Sequence, residues 1–203
     1  MKKQDGKTDR YACASLPQGY ELYEIIDFSK DPKLTKRIAW SSLAVILAMI
    51  AAALPGHSLR AAVSMQPVQI AVCVLAMLVG LAVYLLLHEG VHGMCIKFFT
   101  GEPAQYGFDL KAGLACAGSH FFFRRKTYII IALAPILVWG IVLTLLLRDA
   151  SESHWWYLYA VQIFNVSGAA GDLFVTYRIL TMPKEVLVFD EGMNMKFFAP
   201  TRF

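Results

Sequence analysis

Two histidines and a carboxylate, His88, Glu89 and His92, lie inside the longest apolar segment of the chain, residues 68–94. Ionisable side chains are costly in such a segment, and they normally face one another or a wet cavity. On a helix, positions 88 and 92 project from one face about 40° apart, close enough for both imidazoles to bind one metal ion. The pattern therefore predicts a helix that carries part of a metal site.

Composition places the chain among integral membrane proteins. Of its 203 residues, 57% are hydrophobic, and the mean hydropathy is +0.51, whereas an ordinary soluble domain is roughly 45 to 50% apolar. Segments long enough to cross about 30 Å of hydrocarbon at about 1.5 Å per residue occupy residues 38–54, 68–94, 128–147 and 155–177. We therefore expect an all-α polytopic membrane protein with four transmembrane helices.

The distribution of Lys and Arg predicts the orientation of these helices. Eight precede the first helix, five lie between the second and third, and four follow the fourth, whereas the remaining connections carry one each, Arg60 and Arg148. Because cytoplasmic loops are rich in Lys and Arg, both termini are expected on the cytoplasmic side of a bacterial cell membrane. The net charge of +4 then follows from this asymmetry and from attraction to anionic headgroups. We expect the lipid bilayer as a partner, and no nucleic acid.

The expected parts of the chain are a cytoplasmic N-terminal segment over residues 1–37, a four-helix transmembrane domain over 38–180 and a cytoplasmic tail over 181–203. No apolar core follows Met1, so the first helix rather than a cleavable signal peptide is expected to direct insertion. Residues 100–126 contain two alternating runs around Lys111-Ala112-Gly113, which predict a small cytoplasmic β-hairpin whose edge could pair with an extended substrate. Residues 16–27 alternate apolar and polar residues like a short strand or an interfacial segment ahead of the first helix, and residues 185–190 could form another strand.

Asp172 is the candidate third ligand. The residues of type Asp, Glu, His, Lys or Arg within the four apolar segments are His88, Glu89, His92 and Asp172. His88 precedes Lys97 by nine residues, which places it roughly 10 to 14 Å below the cytoplasmic surface. Asp172 precedes Arg178 by six, at a similar depth of roughly 9 Å. Binding of one Zn²⁺ by His88, His92 and Asp172 would satisfy all three buried groups. The alternative third ligand is His120, on the hairpin.

A zinc ion held this way would leave one position for water, whose pKa it lowers toward about 7. Glu89 is then the expected general base, taking the proton of water as it attacks a peptide carbonyl and delivering it to the leaving amine. Asn165 lies two turns before Asp172 on the same helix face. It is either a helix-packing residue or a polar group beside the reacting carbonyl, and we count it among the catalytic candidates.

These motifs resemble those of the site-2 protease class of intramembrane zinc metalloproteases. The residues that carry the likeness are His88-Glu89-Gly90-Val91-His92 and Asn165-Val166-Ser167-Gly168-Ala169-Ala170-Gly171-Asp172. The chain is more similar still to a bacterial family of zincin peptidases of unknown function, through the first of these motifs and through Leu16-Pro17-Gln18-Gly19-Tyr20, Ala132-Leu133-Ala134-Pro135 and Gly171-Asp172-Leu173. The resemblance implies a four-helix membrane peptidase whose zinc is bound by the matched residues.

Two other functions compete with an intramembrane zinc metalloprotease. A non-catalytic membrane protein could use the same four ionisable residues to bind, transport or sense a metal ion, or to relay protons. A haem protein with two histidine ligands is disfavoured, because neighbouring histidines on one helix cannot bind opposite faces of a haem.

Overall fold

Helices make up most of the chain, which the computed structural model describes over residues 10–109 and 114–201. The helices, numbered in chain order, are α1 (Pro32–Ala53), α2 (Leu59–Val63), α3 (Pro67–Thr100), α4 (Arg125–Arg148), α5 (Glu152–Gly168) and α6 (Ala170–Thr181). The strands are β1 (Ala12–Cys13), β2 (Tyr20–Asp27), β3 (Gln105–Asp109), β4 (Leu114–Gly118), β5 (Phe122–Arg124), β6 (Leu187–Asp190) and β7 (Asn194–Pro200).

The described part of the chain has four helical stretches that are long and apolar enough to cross a membrane, in line with the prediction: α1, α3, α4 and the combined span of α5 and α6. Helix α3 has 34 residues and is therefore about 51 Å long at 1.5 Å per residue. Because a hydrocarbon core is only about 30 Å thick, part of α3 extends beyond any bilayer that it crosses.

The fourth span is interrupted at Ala169, where the apolar pattern predicts one continuous helix over residues 155–177. The break falls in a run of small residues with glycines on both sides, and each glycine costs a helix about 1 kcal/mol relative to alanine. The carbonyl oxygen of Ser167 accepts hydrogen bonds from the N–H of Ala169 and from the hydroxyl of Ser42, the latter at 2.8 Å. As a result, Asp172 lies in the first turn of a new helix.

The chain divides into two compact units, which we number 1 and 2. Unit 1 comprises the residues up to Lys36, Glu89–Ala134 and the residues from Asp172 onward. Unit 2 comprises Arg37–His88 and Pro135–Gly171. The boundary crosses α3 between His88 and Glu89, and the helix continues through it without interruption.

Unit 1 contains a five-stranded antiparallel sheet in the order β1-β5-β6-β7-β2. The prediction of an all-α protein is wrong on this point, because the fold is mostly helical with a small sheet. The strands predicted within residues 16–27 and 185–190 are confirmed as β2 and β6. The sheet joins strands from both ends of the chain, and the apolar pattern of one segment does not reveal such distant partners. Its core includes Phe123, Val188 and Phe197, which are fully buried together with Ile179 of α6.

Strands β3 and β4 form a separate two-stranded antiparallel sheet in which Gln105 lies opposite Gly118. These strands confirm the predicted hairpin, although its turn at Lys111-Ala112-Gly113 lies outside the described residues. The second alternating run, which reaches Phe123, is divided: its first part forms β4, and its last part forms β5 of the larger sheet.

Unit 2 consists of helices held together by apolar contacts and by hydrogen bonds of half-buried tyrosine hydroxyls. A small core contains Tyr84, Leu143 and Val161. The hydroxyl of Tyr157 donates to the carbonyl oxygen of Ala62 at 3.2 Å, and that of Tyr159 donates to the carbonyl oxygen of Met49 at 3.1 Å. These bonds fix α5 to the helical segments that precede α3.

Candidate metal centre

His92 is held by the main chain of α4. Its Nδ1 lies 2.9 Å from the carbonyl oxygen of Ile131, and because a carbonyl oxygen only accepts, the ring nitrogen must donate. The other ring nitrogen, Nε2, lies 3.5 Å from Oδ1 of Asp172. A histidine that donates one N–H to a carbonyl and presents the other nitrogen to a carboxylate has the arrangement typical of a metal ligand.

Asp172 owes its position to the break at Ala169. The break makes Asp172 an acidic residue in the first turn of α6, where the free N–H groups and the helix dipole favour a negative charge. Its side chain is half-buried. The local sequence therefore provides a carboxylate at a helix start, facing the imidazole of His92.

His88 lies one helical turn before His92 on α3, and its Nδ1 is held by a side chain. Its Nδ1 lies 2.8 Å from the hydroxyl oxygen of Tyr84, which precedes it by one turn. The same hydroxyl donates to Oδ1 of Asn165 at 2.8 Å. His88, Tyr84 and Asn165 are all buried.

The three predicted ligands form one group. His88, His92 and Asp172 each offer one ligand atom, and all of these atoms lie within 4.8 Å of one another. Ligand atoms bound to a tetrahedral zinc at 2.0–2.2 Å lie roughly 3.3–3.6 Å apart, and the 3.5 Å between His92 and Asp172 falls in that range. Two imidazoles and a carboxylate are ligands that catalytic zinc accepts. The donor set fits a zinc ion, and so does the spacing of His92 and Asp172.

Glu89 lies beside this group and outside it. It follows His88 directly on α3 and is half-buried, and the three-ligand group does not include it. A general base next to a metal must remain off the metal to accept a proton. The position of Glu89 therefore allows the role predicted for it.

The other two candidates from the sequence, Asn165 and His120, are not members of the three-ligand group. Asn165 is fully buried, and its Nδ2 is 3.4 Å from both the carbonyl oxygen of Ile136 and Oε1 of Gln162. His120 is exposed, and its Nε2 is hydrogen bonded to Nε2 of Gln105 on β3. Within residues 10–109 and 114–201, the metal-ligand group contains Asp172 and not His120.

A buried carboxylate in unit 1, Asp190, has no counterpart among the predicted residues. Its Oδ2 accepts a hydrogen bond from the Tyr128 hydroxyl at 2.6 Å, and its Oδ1 accepts one from the N–H of Gly192 at 2.7 Å. Burial raises the pKa of Asp190 to about 6, although both hydrogen bonds favour the charged form. Because Tyr128 lies one turn before Ile131 on α4, Asp190 ties the C-terminal strands to the turn that holds His92.

Gly93, directly after His92, allows a hairpin side chain to approach α3. A Cβ atom on Gly93 would overlap the hydroxyl oxygen of Tyr106 on β3. Gly93 is also one turn after Glu89, so the tyrosine hydroxyl lies over the helix face that carries the predicted base. This contact places the hairpin next to the turn of α3 that carries His92 within unit 1.

Sequence reasoning missed the residues that hold the ligands. Tyr84, His88 and His92 follow one another at intervals of four residues, and this helical spacing could have identified Tyr84 as a partner. No sequence signal identifies Ile131, because its carbonyl oxygen belongs to the main chain. Asp190 is remote in sequence from the turn that it contacts.

Comparisons with known proteins agree with this geometry. Residues 81–187 match the model of a family described as putative zincin peptidase. An uncharacterised 24.7 kDa protein from Pyrococcus woesei is 33% identical over 119 residues, which are 57% of this chain and 51% of that protein. The chain thus spans about half the length of this curated relative. No solved structure matches this chain significantly. Since the family match covers more than half of the chain, including His88, His92 and Asp172, the chain belongs to the putative zincin peptidase family.

Proposed function

We propose that this protein is an intramembrane zinc metalloprotease that hydrolyses peptide bonds of membrane-associated substrates. The observation that carries the proposal is the group of His88, His92 and Asp172, whose ligand atoms lie within 4.8 Å of one another on helices long and apolar enough to cross a membrane. Membership of the putative zincin peptidase family supports the same chemistry. Ionisable groups within apolar helices are expected to serve a function.

The roles of the residues follow from their positions. His88, His92 and Asp172 hold the zinc, which when bound acts as a Lewis acid and lowers the pKa of water toward about 7. Glu89 accepts a proton from the attacking water and delivers it to the leaving amine. The carbonyl oxygen of Ile131 keeps Nε2 of His92 directed at the metal by holding its Nδ1–H. The catalytic role predicted for Asn165 stays a prediction.

The hairpin of β3 and β4 is the proposed substrate-holding element. A transmembrane helix is a poor substrate because its amides are hydrogen bonded internally, so it must unwind before hydrolysis. A strand edge can hold an unwound peptide by main-chain hydrogen bonds. Tyr106 and Phe108 of β3 are 62% and 57% exposed, which leaves both available to contact a peptide.

The proposed setting is the cell membrane, with both termini in the cytoplasm and with the bilayer and a membrane-protein or peptide substrate as partners. The asymmetry of Lys and Arg supports this orientation. On the same basis, residues 1–37 and 181–203 are cytoplasmic segments that flank the transmembrane domain, and we expect no nucleic-acid partner.

The decisive experiment compares Glu89→Gln with the wild type in proteoliposomes that also contain a mixture of membrane proteins, with new peptide termini identified by mass spectrometry. Bound zinc is measured on the same samples. We expect the variant to keep stoichiometric zinc and to lose cleavage at least 100-fold, in keeping with the loss of a general base. The matched control is Glu185→Gln, which changes an exposed glutamate outside the helices.

A different result supports a different function. If the wild type binds zinc and produces no new termini, while Glu89→Gln weakens zinc binding or uptake, the protein is a non-catalytic metal-binding or transport protein. If the wild type binds no zinc, the zinc metalloprotease is excluded.

A further inference from the structure

A chain of buried side-chain hydrogen bonds ends at the ring of His88. It runs from the carbonyl oxygen of Ile136 to Asn165, from Asn165 to Tyr84, and from Tyr84 to Nδ1 of His88. The exposed fractions are 0% for Asn165, 5% for Tyr84 and 7% for His88, so water does not compete for these bonds. All four residues belong to unit 2.

The direction of each bond follows from the one before it. The carbonyl oxygens of Ile136 and of the Gln162 side chain only accept, so the atom of Asn165 facing both must be its donor, Nδ2. This leaves Oδ1 toward Tyr84, whose single hydroxyl hydrogen is then used on Asn165. The hydroxyl oxygen can therefore only accept from Nδ1–H of His88.

This direction determines which nitrogen of His88 can bind a metal. A neutral imidazole carries one hydrogen, and with that hydrogen on Nδ1 the lone pair for a metal is on Nε2. The opposite arrangement would turn Oδ1 of Asn165 toward two acceptor oxygens, on Ile136 and Gln162. An unpaired buried polar group costs about 1–3 kcal/mol, so the arrangement that leaves Nε2 ready for a metal is favoured before any metal binds.

We infer that Tyr84 and Asn165 are positioning residues, which select the metal-binding tautomer of His88 and thereby set the affinity for zinc. The inference rests on the proposed function in that His88 is a zinc ligand. It also gives Asn165 a role other than the predicted catalytic one. Both hydrogens of its amide have acceptors on Ile136 and Gln162, and its oxygen is used by Tyr84, so no donor is left for a reacting carbonyl.

The test measures the zinc affinity of the purified full chain in detergent micelles by competition with a chromophoric chelator. Tyr84→Phe removes one oxygen atom and should weaken zinc binding about 10- to 100-fold, the usual effect of losing such an outer partner. The matched control, Tyr159→Phe, removes a half-buried hydroxyl of unit 2 that donates to the main chain of Met49. We expect the control to stay within twofold of the wild type.

A double-mutant cycle separates the roles of Asn165. If Asn165 acts through Tyr84, then Asn165→Leu weakens zinc binding on its own but adds little once Tyr84 is phenylalanine, because coupled residues are not additive. If Asn165 instead touches the reacting carbonyl, Asn165→Leu leaves zinc affinity equal to that of the Tyr159→Phe control. That result would overturn the inference for Asn165.

Cobalt in place of zinc gives a spectroscopic readout that does not depend on the packing of Asn165. Proton NMR of the Co²⁺ protein should show a slowly exchanging Nδ1–H for each histidine ligand. In Tyr84→Phe, the signal of His88 should exchange faster, while the signal of His92, held by Ile131, stays unchanged. Equal zinc affinity of Tyr84→Phe and Tyr159→Phe with unchanged signals refutes the inference alone, whereas absence of zinc binding by the wild type refutes the proposed function as well.

Discussion

The two histidines of α3 do the same proposed work but are held in different ways. In unit 1, the Nδ1–H of His92 is held by a main-chain carbonyl, that of Ile131. In unit 2, the Nδ1–H of His88 is held by a side chain, Tyr84, which in turn depends on Asn165. A main-chain acceptor survives almost any substitution of its residue, whereas a side-chain acceptor is lost with one atom. We therefore expect substitutions around His88 to change the affinity for the metal more than substitutions around His92.

The largest expected effect is that of removing a ligand, and Asp172 is the ligand to remove. Asp172→Ala should remove stoichiometric zinc, with at least a 100-fold loss of affinity, because a catalytic zinc site needs three protein ligands. Metal analysis of the purified protein checks the result. The control, His120→Ala, should keep its zinc. Zinc retained in Asp172→Ala and lost in His120→Ala would instead make His120 the third ligand.

The next largest effect is a pH-dependent change in stability at Asp190, the carboxyl that contacts the turn of α4 holding His92. The raised pKa of Asp190, about 6 against 3.8 in an unfolded chain, means that its protonated form favours folding. This stability is fully present below pH 3.8 and is lost as pH rises through about 6, a change of about 3 kcal/mol. We therefore expect the thermal stability of the wild type to fall relative to that of Asp190→Asn as pH rises from 4 to 7.

Asp27, a carboxyl whose pKa is lowered rather than raised, provides the control for that experiment. The Ser29 hydroxyl donates to Asp27 at 2.6 Å and lowers the pKa of this exposed carboxyl. Its contribution to stability is present above its unfolded pKa and is lost only as pH falls below that value, so between pH 4 and 7 the profile of Asp27→Asn should run parallel to that of the wild type. If the profiles of Asp190→Asn and the wild type are parallel from pH 4 to 7, Asp190 is not the titrating group.

A smaller effect is expected from Gly93→Val, which separates the support of the metal from the approach of the substrate. The added side chain would meet the hydroxyl of Tyr106, which must move. We expect cleavage to fall several-fold while zinc affinity stays within twofold of the wild type. Gly90→Val is the control, because a Cβ atom at Gly90 meets nothing within 4 Å. Equal cleavage by both variants would argue against a role of the hairpin.

The smallest expected effect sharpens the comparison of the two histidines. Ile131→Val keeps the carbonyl oxygen that holds His92 and removes only one buried methylene. It should cost roughly 0.5–1.5 kcal/mol of stability and change zinc affinity less than twofold, against the 10- to 100-fold effect of Tyr84→Phe. A large loss of zinc affinity in Ile131→Val would show that both histidines depend on side-chain packing.

The sequence predicted the parts of this molecule that follow from local patterns. The four apolar spans, the hairpin and the residues of the metal group are all visible from spacing, because helix periodicity and ionisable residues in apolar segments are local signals. The five-stranded sheet was largely missed, since β5 has three residues and pairs with β1 and β6 from distant parts of the chain. The break at Ala169 was missed because the apolar pattern continues through it. The acceptor of His92 could not be predicted, because any residue at position 131 presents a carbonyl.

X-ray absorption at the zinc edge of the purified wild type is the most direct test of the claim that His88, His92 and Asp172 share one zinc ion. The predicted spectrum has only nitrogen and oxygen neighbours at about 2.0–2.2 Å, with multiple scattering from two imidazoles. A sulfur shell at about 2.3 Å, or a signal from one imidazole or none, would contradict the account.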